Sequence, residues 1–250
     1  MKSRLTRVVI AFISATALLF AMWALHGNSE DGSTMQRVLQ MLGGNLPTGV
    51  IQGFTFFIFF FAILELWIID QEMDIERDAF SFRLLPVQEQ FILSPTDVND
   101  IKLKAIDKEK HRKYLLTDVI KKGCTKYRAN KSTSEALGIV STQSKINLAT
   151  AEAKQSIVRF CAWAIPSVGF IGTILGIAQS LGLADEAGSE EGIQKVTSAL
   201  NVAFDTTLVA LFLSILLMLY FHIIQEKVEI FHTDLEEYVV ENLINRIYKH

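Results

Sequence analysis

The sequence is poor in the residues from which soluble catalysts and disulfide-held folds are built. Its two cysteines, Cys124 and Cys161, stand at a spacing that suggests no metal site. Its five histidines (His26, His111, His222, His232, His250) are scattered, and none pairs at metal-ligand spacing with Cys or Asp. No glycine loop of the phosphate-cradling kind is present, because Gly169, Gly172 and Gly176 lie in the middle of an apolar stretch. No segment alternates with a strand period, and no internal repeat or low-complexity tract stands out. Basic residues in the polar middle of the chain alternate with acidic ones, which argues against a nucleic-acid footprint. The chain therefore reads as neither an enzyme nor a nucleic-acid binder, with no cofactor and no metal.

What the sequence has is apolarity gathered into blocks. Val8 to Leu25 is an uncharged run of 18 residues, and Val50 to Ile69 is 20 residues with only Glu65 charged. Phe160 to Leu183 is 24 residues without charge, and Ala199 to Ile224 is 26 residues with only Asp205 charged. Each meets or approaches the roughly 20 residues that cross ~30 Å of hydrocarbon as a helix. In lipid a segment must satisfy its own backbone, which makes each run a helix. The fold class is all-α, with four transmembrane helices. Fifteen of the 24 Lys and Arg residues fall between Gln71 and Ser156, and Lys2, Arg4 and Arg7 precede the first span. Only Arg37 lies between spans one and two, and only Lys195 between spans three and four. By the positive-inside rule both termini and the long middle segment are cytoplasmic, with two short loops outside. The first run is longer than the usual core of about 7–15 residues in a signal peptide, and no clean small-x-small site follows it; the expectation is a retained span. Both cysteines then face the reducing side or its edge, which argues against a structural disulfide.

Residues 1–70 are expected to hold two spans and a short periplasmic loop, with a short helix around Met35 to Leu42. Residues 71–156 form a cytoplasmic helical region, 157–226 two further spans, and 227–250 an amphipathic tail. Ser94-Pro95-Thr96-Asp97 has the composition of a helix start, with a capping hydroxyl, proline in the first turn and an acid at the positive dipole end. The helix it opens is expected to run to about Lys122 and stop at Gly123. Ser132-Thr133-Ser134-Glu135 has capping-box spacing and opens a helix that continues into span three. After span four, Val228, Phe231, Leu235, Val239 and Leu243 recur at three- and four-residue steps and form an apolar stripe. The cytoplasmic parts read as extensions of the membrane bundle with little core of their own.

Three features of the spans point to function. Gly169, Gly172 and Gly176 share one stripe of span three, a face where another helix backbone can approach, and Pro166 removes a backbone donor nearby. Asp205 lies about two turns below the outer end of span four, where a charge costs up to about 2.5–3.5 kcal/mol on insertion scales. Its candidate partner on the same helix is Asn201, one turn away. Thr206 and Thr207 follow, and Asp205 and Thr207 stand about 200° apart on the helical wheel, so they face different surfaces. Glu65, near the inner end of span two, reads as a snorkelling or paired carboxylate.

Pro166-Ser-Val-Gly169-Phe-Ile-Gly172-Thr173, continued by Gly176-Ile177, resembles the proline- and glycine-rich core span of the MotA/TolQ/ExbB proton-channel family. Thr207, Ala210 and Leu211 match the family's partner span. The likeness is specific over Arg159 to Gln225, and four spans bring the chain nearer to MotA than to the three-span TolQ and ExbB. The resemblance implies a bacterial inner-membrane stator: a ring-shaped homopentamer around two helices of a single-span ExbD/TolR/MotB-like subunit whose aspartate takes up and releases protons. Thr173 and Thr207 would then line the ion path, with Asp205 and Thr206 beside it, while Pro166, Gly169, Gly172 and Gly176 pack helices within or between subunits. Family members often carry a glutamate five residues before the second threonine; Val202 stands there, and Asp205 lies about 60° round the helix from it. The lack of further pore carboxylates favours H⁺ over Na⁺. The alternative is a non-conducting oligomeric membrane scaffold. A secondary transporter is disfavoured by the absence of an inverted repeat or a pair of broken helices.

Overall fold

A computed structural model describes residues 4–28, 33–44, 48–88, 92–110, 112–186 and 188–247. Among them the chain forms seven α-helices: α1 (Arg4–Gly27), α2 (Thr34–Met41), α3 (Thr48–Arg77), α4 (Pro95–Glu109), α5 (Leu115–Asn130), α6 (Thr133–Gly182) and α7 (Glu190–Val239). A turn of π-helix, Val240–Ile244, follows α7. Helices α1, α3, α6 and α7 are long and apolar enough to cross a membrane. Tyr248 to His250, at the end of the tail, lie outside the described residues.

The chain divides into two compact units. The first comprises residues 1–67 and 156–222 and contains the apolar runs. Its interior holds many small residues, with Ala11, Ala15, Ala62, Ala199, Ala203 and Ala210 all buried beside larger ones such as Leu66, Ile165 and Leu217. Its periphery is large and apolar, with Phe12, Trp23, Phe170, Phe204 and Phe212 exposed, as suits a lipid-facing surface. The short helix expected near Met35 to Leu42 is α2, capped by Ser33, whose hydroxyl accepts from Gln36 N at 3.1 Å.

The second unit, residues 68–155 and 223–250, has a core of its own. This differs from the expected helical extensions with little independent core. Val98, Ile101 and Ala105 of α4 and Leu116, Val119 and Ile120 of α5 are buried, as are Val228, Phe231, Leu235 and Val239 of α7 and Leu243 beyond it. The Phe80 ring meets those of Phe231 and Tyr238 edge to face, with centroids 6.1 and 5.3 Å apart. A backbone bridge between Leu93 and Ile247, in which Leu93 N–H donates to Arg246 O at 2.7 Å, and the Arg246 guanidinium donating to the Val87 carbonyl at 3.0 Å tie the C-terminal segment to the stretch before α4.

Two helix starts fall where the capping residues put them. Ser94 and Asp97 form a full capping box, and Ser132 caps α6 by accepting from Glu135 N at 3.3 Å. The expected stop at Gly123 is overturned. Helix α4 ends at Glu109, and α5 starts afresh at Leu115, whose N–H donates to the Glu76 carboxylate at 2.7 Å. Gly123 lies inside α5, where a Cβ would meet Val140 Cγ2 at 2.9 Å. That glycine permits close packing of α5 on α6; it does not break the helix.

Candidate functional site

Spans three and four pack along the glycine stripe. A Cβ on Gly169 would stand 2.5 Å from Ala210 Cβ, one on Gly172 would overlap Thr206, and one on Gly176 would reach Ala203 N at 2.7 Å and Ala199 O at 2.8 Å. The stripe therefore faces the neighbouring span of the same chain, and its small partners Ala199, Ala203 and Ala210 complete a small-on-small contact.

The close approach brings two hydroxyls together. Thr173 Oγ1 and Thr207 Oγ1 are within hydrogen-bonding distance across 34 residues of sequence. Thr207 also donates to Gly169 O at 2.9 Å, and Thr173 stands 3.2 Å from Ala203 O and 3.4 Å from Gly169 O. Two hydroxyl protons thus face each other and two backbone carbonyls. Two arrangements satisfy the set: Thr173 donates to Thr207 while Thr207 donates to Gly169 O, or Thr207 donates to Thr173 while Thr173 donates to Ala203 O. Rotating the two O–H bonds interconverts them. Both hydroxyls are half-buried, at the border of the exposed surface that includes Phe170, Ile174, Phe204, Leu208 and Leu211.

Pro166 has its consequence one turn back. Without an N–H at position 166 the Ala162 carbonyl loses its intrahelical donor. Ser214 of span four supplies one, with Oγ donating to Ala162 O at 3.3 Å.

Asp205 lies elsewhere. Its carboxylate receives two hydrogen bonds from Arg37 of α2, at 2.7 and 2.8 Å, so its partner is Arg37 rather than Asn201. Gln52 of span two, fully buried, donates its side-chain amide to Asp205 O at 3.3 Å and to Met41 O at 2.9 Å. These contacts clasp α2 and span two to span four on a face away from the two hydroxyls. Thr206 is turned to its own helix, donating to Val202 O at 2.9 Å, and packs against Gly172. Of the four candidate ion-path residues the structure brings Thr173 and Thr207 together and leaves Asp205 and Thr206 apart from them. Glu65 is a paired carboxylate, 2.7 Å from the Arg7 guanidinium of span one.

Arg37, Gln52, Ser214 and the Arg7–Glu65 pair were not foreseen as partners. Two of these contacts left a trace in the sequence. Arg37 is the sole basic residue between the first two spans and Asp205 the sole charge in the fourth; Arg7 and Glu65 each lie toward the same predicted end of their runs. An unmatched charge on each of two helices in lipid is a pairing signal.

Four helices long and apolar enough to cross a membrane fit a multi-pass membrane protein. A scan of protein-family models matches residues 111–237 to the MotA/TolQ/ExbB proton channel family, just over half of the 250 residues, and the chain belongs to that family. Neither the curated proteins nor the solved structures yielded a match.

Proposed function

We propose that the chain is the channel-forming stator subunit of a bacterial inner-membrane motor driven by the proton-motive force. The observation that carries this reading is the Thr173–Thr207 hydroxyl pair at the margin of an exposed apolar face. A hydroxyl pair that can reverse its hydrogen-bond direction passes a proton, or holds water, without holding a charge in the membrane. This reading takes the titrating acid from outside the chain, while Asp205 and Glu65 are each paired with an arginine. The reading assigns that acid to an aspartate on a single-span partner of the ExbD, TolR or MotB type. Two partner helices sit inside a pentamer of this chain, with both termini of each copy cytoplasmic. Moving one charge through ~100 mV supplies about 2.3 kcal/mol, so mechanical work draws on several protons. The coupling ion is H⁺.

Co-expression with a single-span protein of the ExbD, TolR or MotB type, followed by native mass spectrometry, tests the assembly. A pentamer carrying two companion chains is expected. A monomer, or a ring that no companion enters, would refute the motor. The scaffold reading draws support from the Arg37–Asp205 clasp, which gives Asp205 a packing role; a companion-bearing ring that conducts no protons would favour it.

A further inference from the structure

A cavity of about 100 Å³ lies within the second unit, where Glu72 and Met73 of α3, Leu115 of α5, Asn147 and Lys154 of α6 and His232 of α7 converge. His232 is only 4% exposed. Its Nδ1 stands 2.8 Å from Val228 O, an atom that can only accept, so Nδ1 carries the proton and Nε2 presents a lone pair. That Nε2 is buried and has no hydrogen-bond partner in the protein. Asn147 offers the complement: its Oδ1 accepts from Gln143 at 2.8 Å, and its buried Nδ2 donor is likewise unpartnered. One cavity is thus lined by a residue with an orphan acceptor and another with an orphan donor.

We propose that this cavity is a binding site for a small cluster of ordered water, and that His232 Nε2 takes up a proton through it. A buried polar pair of this kind calls for a ligand that donates and accepts at once. One water occupies roughly 10–15 Å³ of such volume, so the space admits several. The charged side chains facing the site are Glu72 on α3, and Lys154 and Glu152 on α6; α5 contributes the apolar Leu115. Glu72 is bridged to Lys154 at 3.1 Å, so its carboxylate is already engaged by a cation other than His232. On protonation a proton from bulk water reaches Nε2 and the ring becomes an imidazolium, with Nδ1–H still donated to Val228 O.

Burial lowers the proton affinity of His232 below its ordinary value, with the Val228 carbonyl and Glu152 opposing in part. The unfolded chain therefore binds the proton first as pH falls. The contribution of His232 to stability is flat above the ordinary histidine pKa of about 6.5 and declines below it, until the folded site itself is protonated. This inference does not rest on the motor reading.

Hydroxyl-radical footprinting of the full chain in detergent tests the site, because Met73 lines the cavity yet is only 7% exposed. A thioether beside bound water is oxidised despite its burial. Rapid Met73 oxidation is expected in the wild type and its loss in Ala151→Leu, which fills the cavity with an apolar side chain. A Met73 that stays unoxidised in the wild type, or oxidation that persists in Ala151→Leu, overturns the hydration site. If Ala151→Leu does not fold, the wild-type result alone decides. Thermal unfolding in the same detergent is expected to show a midpoint that falls below pH ~6.5 in the wild type, and a shallower fall in His232→Leu. Equal slopes would overturn the role of His232.

Discussion

Asp205 and Arg37 answer each other across 168 residues of sequence, and the pairing settles what a charge in span four costs. An aspartate in hydrocarbon is tolerated when two guanidinium N–H groups meet it. Removing Arg37 alone leaves the buried carboxylate uncompensated. Arg37→Ala is expected to destabilise the folded protein by about 2 kcal/mol, between the values for exposed and fully buried pairs. The double variant Arg37→Ala/Asp205→Asn should regain part of that loss, and thermal unfolding in lipid nanodiscs reads the difference; strictly additive costs would deny the clasp. Pro166 and Ser214 form a second pair of this kind. Ser214→Ala is expected to cost about 1 kcal/mol in the natural protein and less in a Pro166→Ala background, where Ala162 O regains a donor from its own helix. Thr173 and Thr207 were legible from the family's motif; their direct contact was not, because a wheel places a residue on a face without saying which face of the neighbour it meets. The same limit hid Arg37, which the sequence shows only as a lone charge in a polar loop.

At the scale of the element, two helix starts were plain, the start of α5 was missed and one helix stop was misread. Ser94 and Ser132 announce α4 and α6 because a hydroxyl that accepts from the third residue on is a local interaction. Gly123 was read as a terminator, yet it sits where α5 approaches Val140 of α6; a glycine that ends a helix and one that admits a neighbour look alike in sequence. The two uses differ in what a methyl group would meet, and this gives a test. Gly123→Ala presses on the end of a valine side chain, whereas Gly176→Ala presses on the backbone of span four at Ala203 N and Ala199 O. A side chain can turn aside and a helix backbone cannot. Gly176→Ala is therefore expected to lower the unfolding temperature more than Gly123→Ala, and the reverse order would mean that spans three and four are not held at this distance.

For the whole molecule, the four spans were legible because length and apolarity alone define them. The separate core of the second unit was not. Its α7 stripe was visible, but Phe80, which meets the stripe at Phe231, comes from a short turn of helix with no long periodicity of its own. The proposed function rests on one claim: the chain supplies hydroxyls and shape, and a partner supplies the acid. Proton flux into vesicles holding this chain together with the single-span companion proposed for it measures that claim most directly. With the double variant Thr173→Val/Thr207→Val, which keeps shape and removes both hydroxyls, flux is expected to fall to the level of companion-free vesicles, while Thr173→Ser/Thr207→Ser retains it. Undiminished flux through the valine variant would contradict the account.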